Sequence, residues 1–387
     1  MQTTYFANNV LLNDKWYRGQ LIGVENGTIC SIVGGTPDQA DIILQGCTSP
    51  GFIDTQVNGG GGVLFNHQPS LTTLRKMRDA HAKYGTCAML PSVISDDYQV
   101  MVDCANAVAE AIAIEEPGIL GIHFEGPHLN PDKKGIHPAC FIRPLSDQEM
   151  QLFSRQDLGL KIVTLAPEIV PPEQIRQLVK QGVIVAIGHT NASYRQTKDA
   201  LAAGASGFTH LYNAMSSIRG REPGVVGAAL LDKPSIAGLI VDHFHVHDEN
   251  CILAIQSKGP DGIMLVTDSM SHVDAEDSLL VFNEQLITKV NGKLTTPDGV
   301  LAGSALDMMS AITNCHIGLD IPLIDAIKMA TSTPAQFLKS SRSLGKIAPG
   351  YQANFVSFNQ RFEVTQNIYR GKSLLAEMAT PEINIAL

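Results

Sequence analysis

Eight short apolar runs, at residues 51–54, 87–90, 119–124, 162–165, 183–187, 207–209, 236–241 and 263–266, are separated by longer stretches rich in Ala, Leu and Gln. Brief apolar runs that alternate with helical stretches are the trace left by buried parallel strands and their crossover helices. Eight such units predict an α/β chain closed into a (β/α)8 TIM barrel. The residues just after each run sharpen this: Gln56 and Asn58, Ser92, Glu125, Glu168, His189, His210 with Asn213, Asp242 with His245, and Asp268. In a barrel of parallel strands all eight carboxyl ends open on one face, so polar groups far apart in sequence converge there. Ordinary loop chemistry does not favour His, Glu and Asp in such regular phase.

The flanks have another texture. Residues 20–24, 28–32 and 41–44 are short alternating stretches broken by Asn, Gly and Pro, which read as β-hairpins and predict a small β-domain over residues 1–49. The barrel is expected over 50–344, with a hairpin within 279–294 and helices near 304–317 and 323–338. Residues 345–387 return to β texture, a turn at 345–350 and strands at 353–358 and 364–369, which can pair with the amino-terminal hairpins in one composite domain. A length of 387 residues suits one barrel plus one small domain better than several equal domains.

The formal net charge of −10 argues against nucleic acid or an anionic membrane as partner, since both need a basic field. An anionic substrate must then find a local cationic pocket. Seven cysteines form no Cys-x-x-Cys pair, which fits a reducing compartment rather than a disulfide or zinc-finger framework. Residues 1–10 lack the basic start and apolar run of a signal peptide, so the expected location is cytoplasmic.

Glu125, His189 and His210 end the third, fifth and sixth runs. Two imidazoles and a carboxylate are a known catalytic zinc set that leaves a coordination position open; the alternative is three separate structural side chains. Asp268 ends the eighth run, where a carboxylate can move a proton between water and a leaving amine, or simply cap an Asx turn. The tract DHFHVH at 242–247 has the composition of a second metal site. A loop leaving a buried strand is instead expected to turn one histidine inward, His245, with His243 and His247 facing solvent; His272 has no assigned role. The glycines at 59–62 lack the Lys-Ser/Thr of a phosphate loop and signal close packing or substrate approach. Asn213-Ala-Met215, followed by Arg219 and Arg221, offers backbone N–H and guanidinium donors for a phosphate, or is a solvated loop.

Seven motifs then point one way: GFIDTQVNGG (51–60), HFEGPHLN (123–130), KGIH (134–137), TLAPE (164–168), GHTN (188–191), THLYNAM (209–215) and GS (303–304). Over nearly the whole chain these resemble the N-acetylglucosamine-6-phosphate deacetylases of the amidohydrolase superfamily. The resemblance implies a TIM barrel carrying a β-sandwich built from both termini, and hydrolysis of the N-acetyl group of N-acetyl-D-glucosamine 6-phosphate. It places one divalent metal ion, expected to be zinc with Fe2+, Ni2+, Co2+ or Mn2+ as alternatives, on Glu125, His189 and His210. It makes Asp268 the acid/base and His245 the group that polarises the carbonyl. Substrate contacts fall on Gln56, Gly126, His137, Asn213, Ala214, Arg221 and His245, with Arg221 reaching in from a neighbouring subunit of a homodimer. Many superfamily relatives carry His-x-His after the first strand; here Gln56-Val-Asn58 stands instead, and amides are poor zinc ligands, so a single metal is expected.

Three rivals remain. N-acetylgalactosamine 6-phosphate differs from the glucosamine substrate only in the orientation of one hydroxyl, although Gln56-Val-Asn58 leans towards glucosamine. Cyclic-amide hydrolysis in its two-metal form needs His-x-His and a bridging lysine, which cannot be placed here. A non-catalytic sugar-phosphate sensor has little reason to keep Glu125, His189, His210 and Asp268 together.

Overall fold

The computed structural model describes residues 2–276, 279–282 and 285–375. Each predicted run is a strand: Phe52–Val57, Thr86–Ile94, Gly121–Glu125, Leu160–Leu165, Ile184–Ile187, Gly207–Phe208, Ile236–Leu239 and Ile263–Leu265, hereafter the first to eighth barrel strands. They form one parallel sheet in chain order. All eight are buried along nearly their whole length, as strands must be when helices cover one face and the barrel interior the other. The intervening helices start on sequence signals of the usual kind: Ser146 and Ser193 each cap a helix in a reciprocal box, with Glu149 and Gln196 respectively.

Closure between the first and eighth strands is made just beyond their ends. The Asp268 N–H donates to the Gln56 carbonyl at 3.0 Å, and the Asn58 N–H to the Ser269 carbonyl at 2.9 Å. Beneath this seam the Thr267 hydroxyl donates to Asp54 at 2.5 Å, and the N–H groups of Gln56 and Thr267 point to the same carboxyl group at 3.2 and 3.4 Å. Burial raises the Asp54 pKa to about 7 despite these donors. The barrel interior holds a further polar layer. His123 Nδ1–H donates to the Thr55 carbonyl at 3.0 Å, and its Nε2 lies 2.7 Å from the Thr164 hydroxyl, itself 2.6 Å from that of Thr209. Burial lowers the His123 pKa to about 4, so this ring is neutral and needs no counterion.

The termini build one seven-stranded sheet, in the order Lys372–Ser373, Val364–Tyr369, Phe355–Phe358, Ile42–Pro50, Gln2–Leu12, Lys15–Glu25, Thr28–Gly34. The two amino-terminal hairpins turn on Asn13-Asp14 and Asn26-Gly27, all with positive φ, which is the turn chemistry that matches strand twist. Residues 41–44 depart from expectation: strand Ile42–Pro50 belongs to no hairpin but lies parallel to Gln2–Leu12, after a 3-10 turn at Pro37–Gln39. The sheet curls until its far ends meet. Ile29 N–H donates to the Tyr351 carbonyl at 2.8 Å, and the Tyr5 hydroxyl to the Gly371 carbonyl at 2.8 Å. The enclosed core includes Tyr5, Val10, Ile22, Ile29, Leu44, Phe355 and Ile368, which makes the unit a β-sandwich in cross-section. Residues 376–387, expected to complete it, lie outside the described residues.

Two loops over the barrel mouth fill in what the sequence left open. The region expected to hold a hairpin has three antiparallel strands, Leu279–Phe282, Gln285–Val290 and Lys293–Thr295, whose inner face of Phe282, Ile287 and Leu294 packs on Leu64, Ile94 and Met270. The glycine run is a tight turn that packs closely. A Cβ on Gly59 would sit 2.4 Å from the Val63 carbonyl oxygen, and one on Gly60 2.9 Å from the His81 ring.

Asp54 gives this seam a pH signature. Its folded pKa of about 7 lies above the ordinary value of 3.8, so the folded chain holds a proton that the unfolded chain releases between those limits. Its contribution is greatest below about pH 4, declines as pH rises towards 7, and is flat above. Denaturant unfolding of wild type and Asp54→Asn should therefore show a stability difference that shrinks from pH 4 to 7; a constant difference would contradict the assignment.

Candidate active site

The third, fifth and sixth strands deliver Glu125, His189 and His210 to one point. His210 Nε2 lies 3.0 Å and His189 Nε2 3.3 Å from Glu125 Oε1, and the two Nε2 atoms are 2.9 Å apart. His189 and His210 both have positive φ, 48° and 32°, as does Asp268 at 51°. Side-chain-bearing residues adopt this conformation at a cost, and here it breaks each strand sharply so that the side chain turns into the mouth. His189 Nδ1–H donates to the Lys133 carbonyl at 2.8 Å, which leaves the Nε2 lone pair facing the cluster. Two inward imidazoles and one carboxylate, all buried and with ligand atoms within 4.8 Å of one another, are a donor set that fits a divalent cation of the zinc type.

Burial opposes charge on Glu125, yet its hydrogen bonds and electrostatic interactions with His189 and His210 prevail and hold it well below the usual carboxylate range. Asp268 shows the opposite outcome: burial and the Glu125 charge raise its pKa to about 6. Two amides separate these carboxylates. Gln56 Nε2 donates to Glu125 Oε1 at 2.9 Å and to Asp268 Oδ1 at 3.1 Å, while Asn58 Nδ2 donates to the same Oδ1 at 2.8 Å. Among the described residues no hydrogen bond falls on Asp268 Oδ2, so that oxygen is left for chemistry.

These groups open into a cavity of about 280 Å³, near the lower end for small-ligand sites. His245, His137, Asn213 and Ala214 line it with the cluster and Asp268. His245 Nδ1 donates to Asp242 Oδ2 at 2.6 Å, and Asp242 also accepts the N–H groups of Phe244 and His245, so Nε2 is the ring atom left to face the cavity. His137 Nδ1 accepts the Ser95 N–H at 3.2 Å, which puts its proton on Nε2. Burial holds His137 well below the ordinary histidine range, as a neutral donor.

Of the remaining histidines in the 242–247 tract, His243 pairs with Asp248 at 2.9 Å on the surface and His247 caps helix Asp248–Lys258, so only His245 turns inward. Gln56 and Gly126, expected to touch substrate, are not on the cavity wall. Gln56 braces the carboxylates, and Gly126 lies behind Glu125, where a Cβ would come 2.3 Å from Ser95 Oγ. Arg221 is exposed on a turn closed by Arg219 and Glu222 and is likewise absent from the wall. Glu168, though polar at a strand end, is a staple: it accepts from Asn130 Nδ2, the Thr190 hydroxyl and the Asn191 N–H, tying three loops together. Sequence reasoning does not reach the bracing role of Asn58, the support of His245 by Asp242 or the presence of Lys133 on the wall. The i,i+3 spacing of Asp242 and His245 is the one available signal among these.

Residues 48–374 match the model of the amidohydrolase family. The chain is 47% identical over 341 residues to an N-acetylgalactosamine-6-phosphate deacetylase of Shewanella sp. (strain ANA-3), covering 87% of this chain and 86% of that one. It is 35% identical over 335 residues to an N-acetylglucosamine-6-phosphate deacetylase of Haemophilus influenzae, covering 86% and 87%. The crystal structure of N-acetylglucosamine-6-phosphate deacetylase from Pasteurella multocida superposes with a TM-score of 0.92 at 33% identity, over 96% of this chain and 99% of that one. A shared barrel, a shared terminal β-domain and identity of this extent mean that the chain belongs to the amidohydrolase family, among its N-acetylhexosamine-6-phosphate deacetylases.

Proposed function

We propose that this protein hydrolyses the N-acetyl group of N-acetyl-D-glucosamine 6-phosphate, giving D-glucosamine 6-phosphate and acetate in amino-sugar breakdown. The observation that carries this is the convergence of Glu125, His189 and His210 beside the carboxyl group of Asp268, with Asp268 Oδ2 free of internal bonds among the described residues. Glu125, His189 and His210 would hold one divalent ion, which we take to be zinc. When bound, the ion supplies Lewis acidity, lowering the pKa of water and polarising a carbonyl.

The rest is done by the chain. Asp268 Oδ2 takes a proton from the attacking water and returns it to the sugar nitrogen as the C–N bond breaks. A carboxylate held by two amide donors on one oxygen is oriented for that exchange through the other. His245, held at Nδ1 by Asp242, faces the acetyl oxygen with Nε2 and stabilises the negative charge that develops there. His137 donates from Nε2 to a sugar hydroxyl, and Asn213 with Ala214 supports the sugar phosphate. The exposed position of Arg221 suits a homodimer in which the partner subunit's Arg221 completes the phosphate site. Among the described residues no helix is long and apolar enough to cross a membrane, and the seven cysteines are free thiols, which supports a cytoplasmic setting.

A second reading, N-acetylgalactosamine 6-phosphate as the preferred substrate, is favoured by the 47% identity to the Shewanella enzyme against 35% to the Haemophilus one. Side-by-side kcat/KM on the two epimers decides: a higher value on the gluco form is expected from the first reading, and a clear galacto preference establishes the second.

Asp268→Asn should keep its metal, measured by elemental analysis, while turnover falls roughly 10²–10⁴-fold. Near-normal turnover would remove Asp268 from the mechanism. His189→Ala should lower both metal content and activity, because it deletes a ligand rather than a proton carrier; full metal occupancy in that variant would contradict the ligand set.

A further inference from the structure

Gly303 and Ser304 follow the three-stranded sheet at the mouth, yet both reach back to the end of the eighth barrel strand. The Ser304 N–H donates to the Asp268 carbonyl at 2.9 Å, and the Ser304 hydroxyl to the Thr267 carbonyl at 2.5 Å. That hydroxyl also accepts the Leu306 N–H at 3.0 Å, so its direction is fixed by a donor and an acceptor together. In return the Met270 N–H donates to the Ser304 carbonyl at 2.9 Å. Thr267, Ser269 and Ser304 are all buried, so water is not at hand to replace these bonds.

Asp268 is thereby held from two sides. Its N–H goes to Gln56 and its carbonyl to Ser304, while Ser269 pairs with Val57 on one flank and Ser304 on the other. At φ 51° Asp268 has left the strand conformation, so its side chain takes its direction from the partners that hold its backbone. Gly303 permits the close approach. Its φ is 60°, and a Cβ there would lie 2.7 Å from Met270 Cγ and 3.0 Å from the Asp268 carbonyl oxygen.

The same segment builds part of the cavity wall. Val300, Leu301 and Gly303 line the cavity together with Asp268. The Ala302 N–H donates to the Leu294 carbonyl at 3.2 Å, and Leu294, Ala302 and Met270 share one apolar cluster. The wall at Val300 and Leu301 and the backbone of Asp268 are therefore joined through Gly303 and Ser304.

We propose that Ser304 is a positioning residue for the reaction. It fixes the backbone of Thr267 and Asp268 so that Asp268 Oδ2 faces the reacting bond, and it couples that setting to the wall at Val300 and Leu301. This rests on the deacetylase reading above. Ser304 itself is off the cavity wall, so its loss acts on kcat rather than on KM.

The test is a double-mutant cycle of Ser304→Ala and Asp268→Asn on an N-acetylhexosamine 6-phosphate, with metal content measured alongside. Alone, Ser304→Ala should lower kcat roughly 10- to 100-fold, with KM nearly unchanged and the metal retained. In the Asp268→Asn background the same substitution should cost less than about 3-fold, since a group that acts through Asp268 has nothing left to position. A loss as large in that background as in wild type, a loss of metal, a fall carried by KM, or a kcat equal to wild type would each overturn the proposal. Ser304→Cys, which fills the space and donates only weakly, takes the place of Ser304→Ala should the latter not fold. A crystal structure of the variant adds an arm free of turnover. The Asp268 carboxyl group should shift relative to Glu125 and leave its bond to Asn58; an unmoved carboxyl group overturns the proposal. A wild-type protein that deacetylates no N-acetylhexosamine 6-phosphate, with this shift present in the variant, would instead contradict the deacetylase reading and leave the link from Ser304 to Asp268 standing.

Discussion

Two buried carboxyl groups at one end of a barrel set the terms for everything around them. Glu125 and Asp268 are removed from water and share a hydrogen-bond partner, Gln56, so their charges repel in a medium that screens poorly. The surroundings answer in two ways. His189 and His210 stabilise Glu125 as an anion, while the amides of Gln56 and Asn58 steady Asp268 without adding charge. The result is a division of labour between like groups, one held firmly ionised and the other with its pKa raised to about 6. A divalent ion held by Glu125, His189 and His210 would complete the balance by adding positive charge where these three groups meet.

That balance requires the first and eighth strands to meet accurately, since Gln56 and Asn58 leave one and Asp268 the other. The Asp54–Thr267 pair below and the backbone bonds from 56 to 269 above fix their relative position. Glu168 does the same for the loops after the third, fourth and fifth strands. Such fastenings matter because His189, His210 and Asp268 sit just beyond strand ends in left-handed conformations, where a shift of the backbone would move the side chain.

Much of this is legible in the sequence for a simple reason. A parallel strand buried on both faces must be an apolar run, and its polar successor must lie at the barrel mouth, so all eight strands and the convergence of residues 125, 189, 210 and 268 can be read from order alone. The single inward histidine at 245 follows from the same geometry. Partner choice is less legible. Whether Gln56 faces a ligand or two carboxylates depends on distances between chain segments some 70 and 210 residues away, which no local pattern encodes. The parallel placement of Ile42–Pro50 escapes the sequence for a related reason, since its alternating texture is the same in a hairpin and in a crossover. Lys133 carries no signal of its own because its turn lies between motifs and only the fold brings it onto the wall.

The most direct test is anomalous diffraction from crystals of protein purified without chelators, recorded at the absorption edge of the metal found by elemental analysis. The account predicts a single peak per chain, bonded to Glu125, His189 Nε2 and His210 Nε2, with Gln56 and Asn58 still turned to the carboxylates. A second peak beside Gln56 and Asn58, or a peak that misses any of the three ligands, would contradict it.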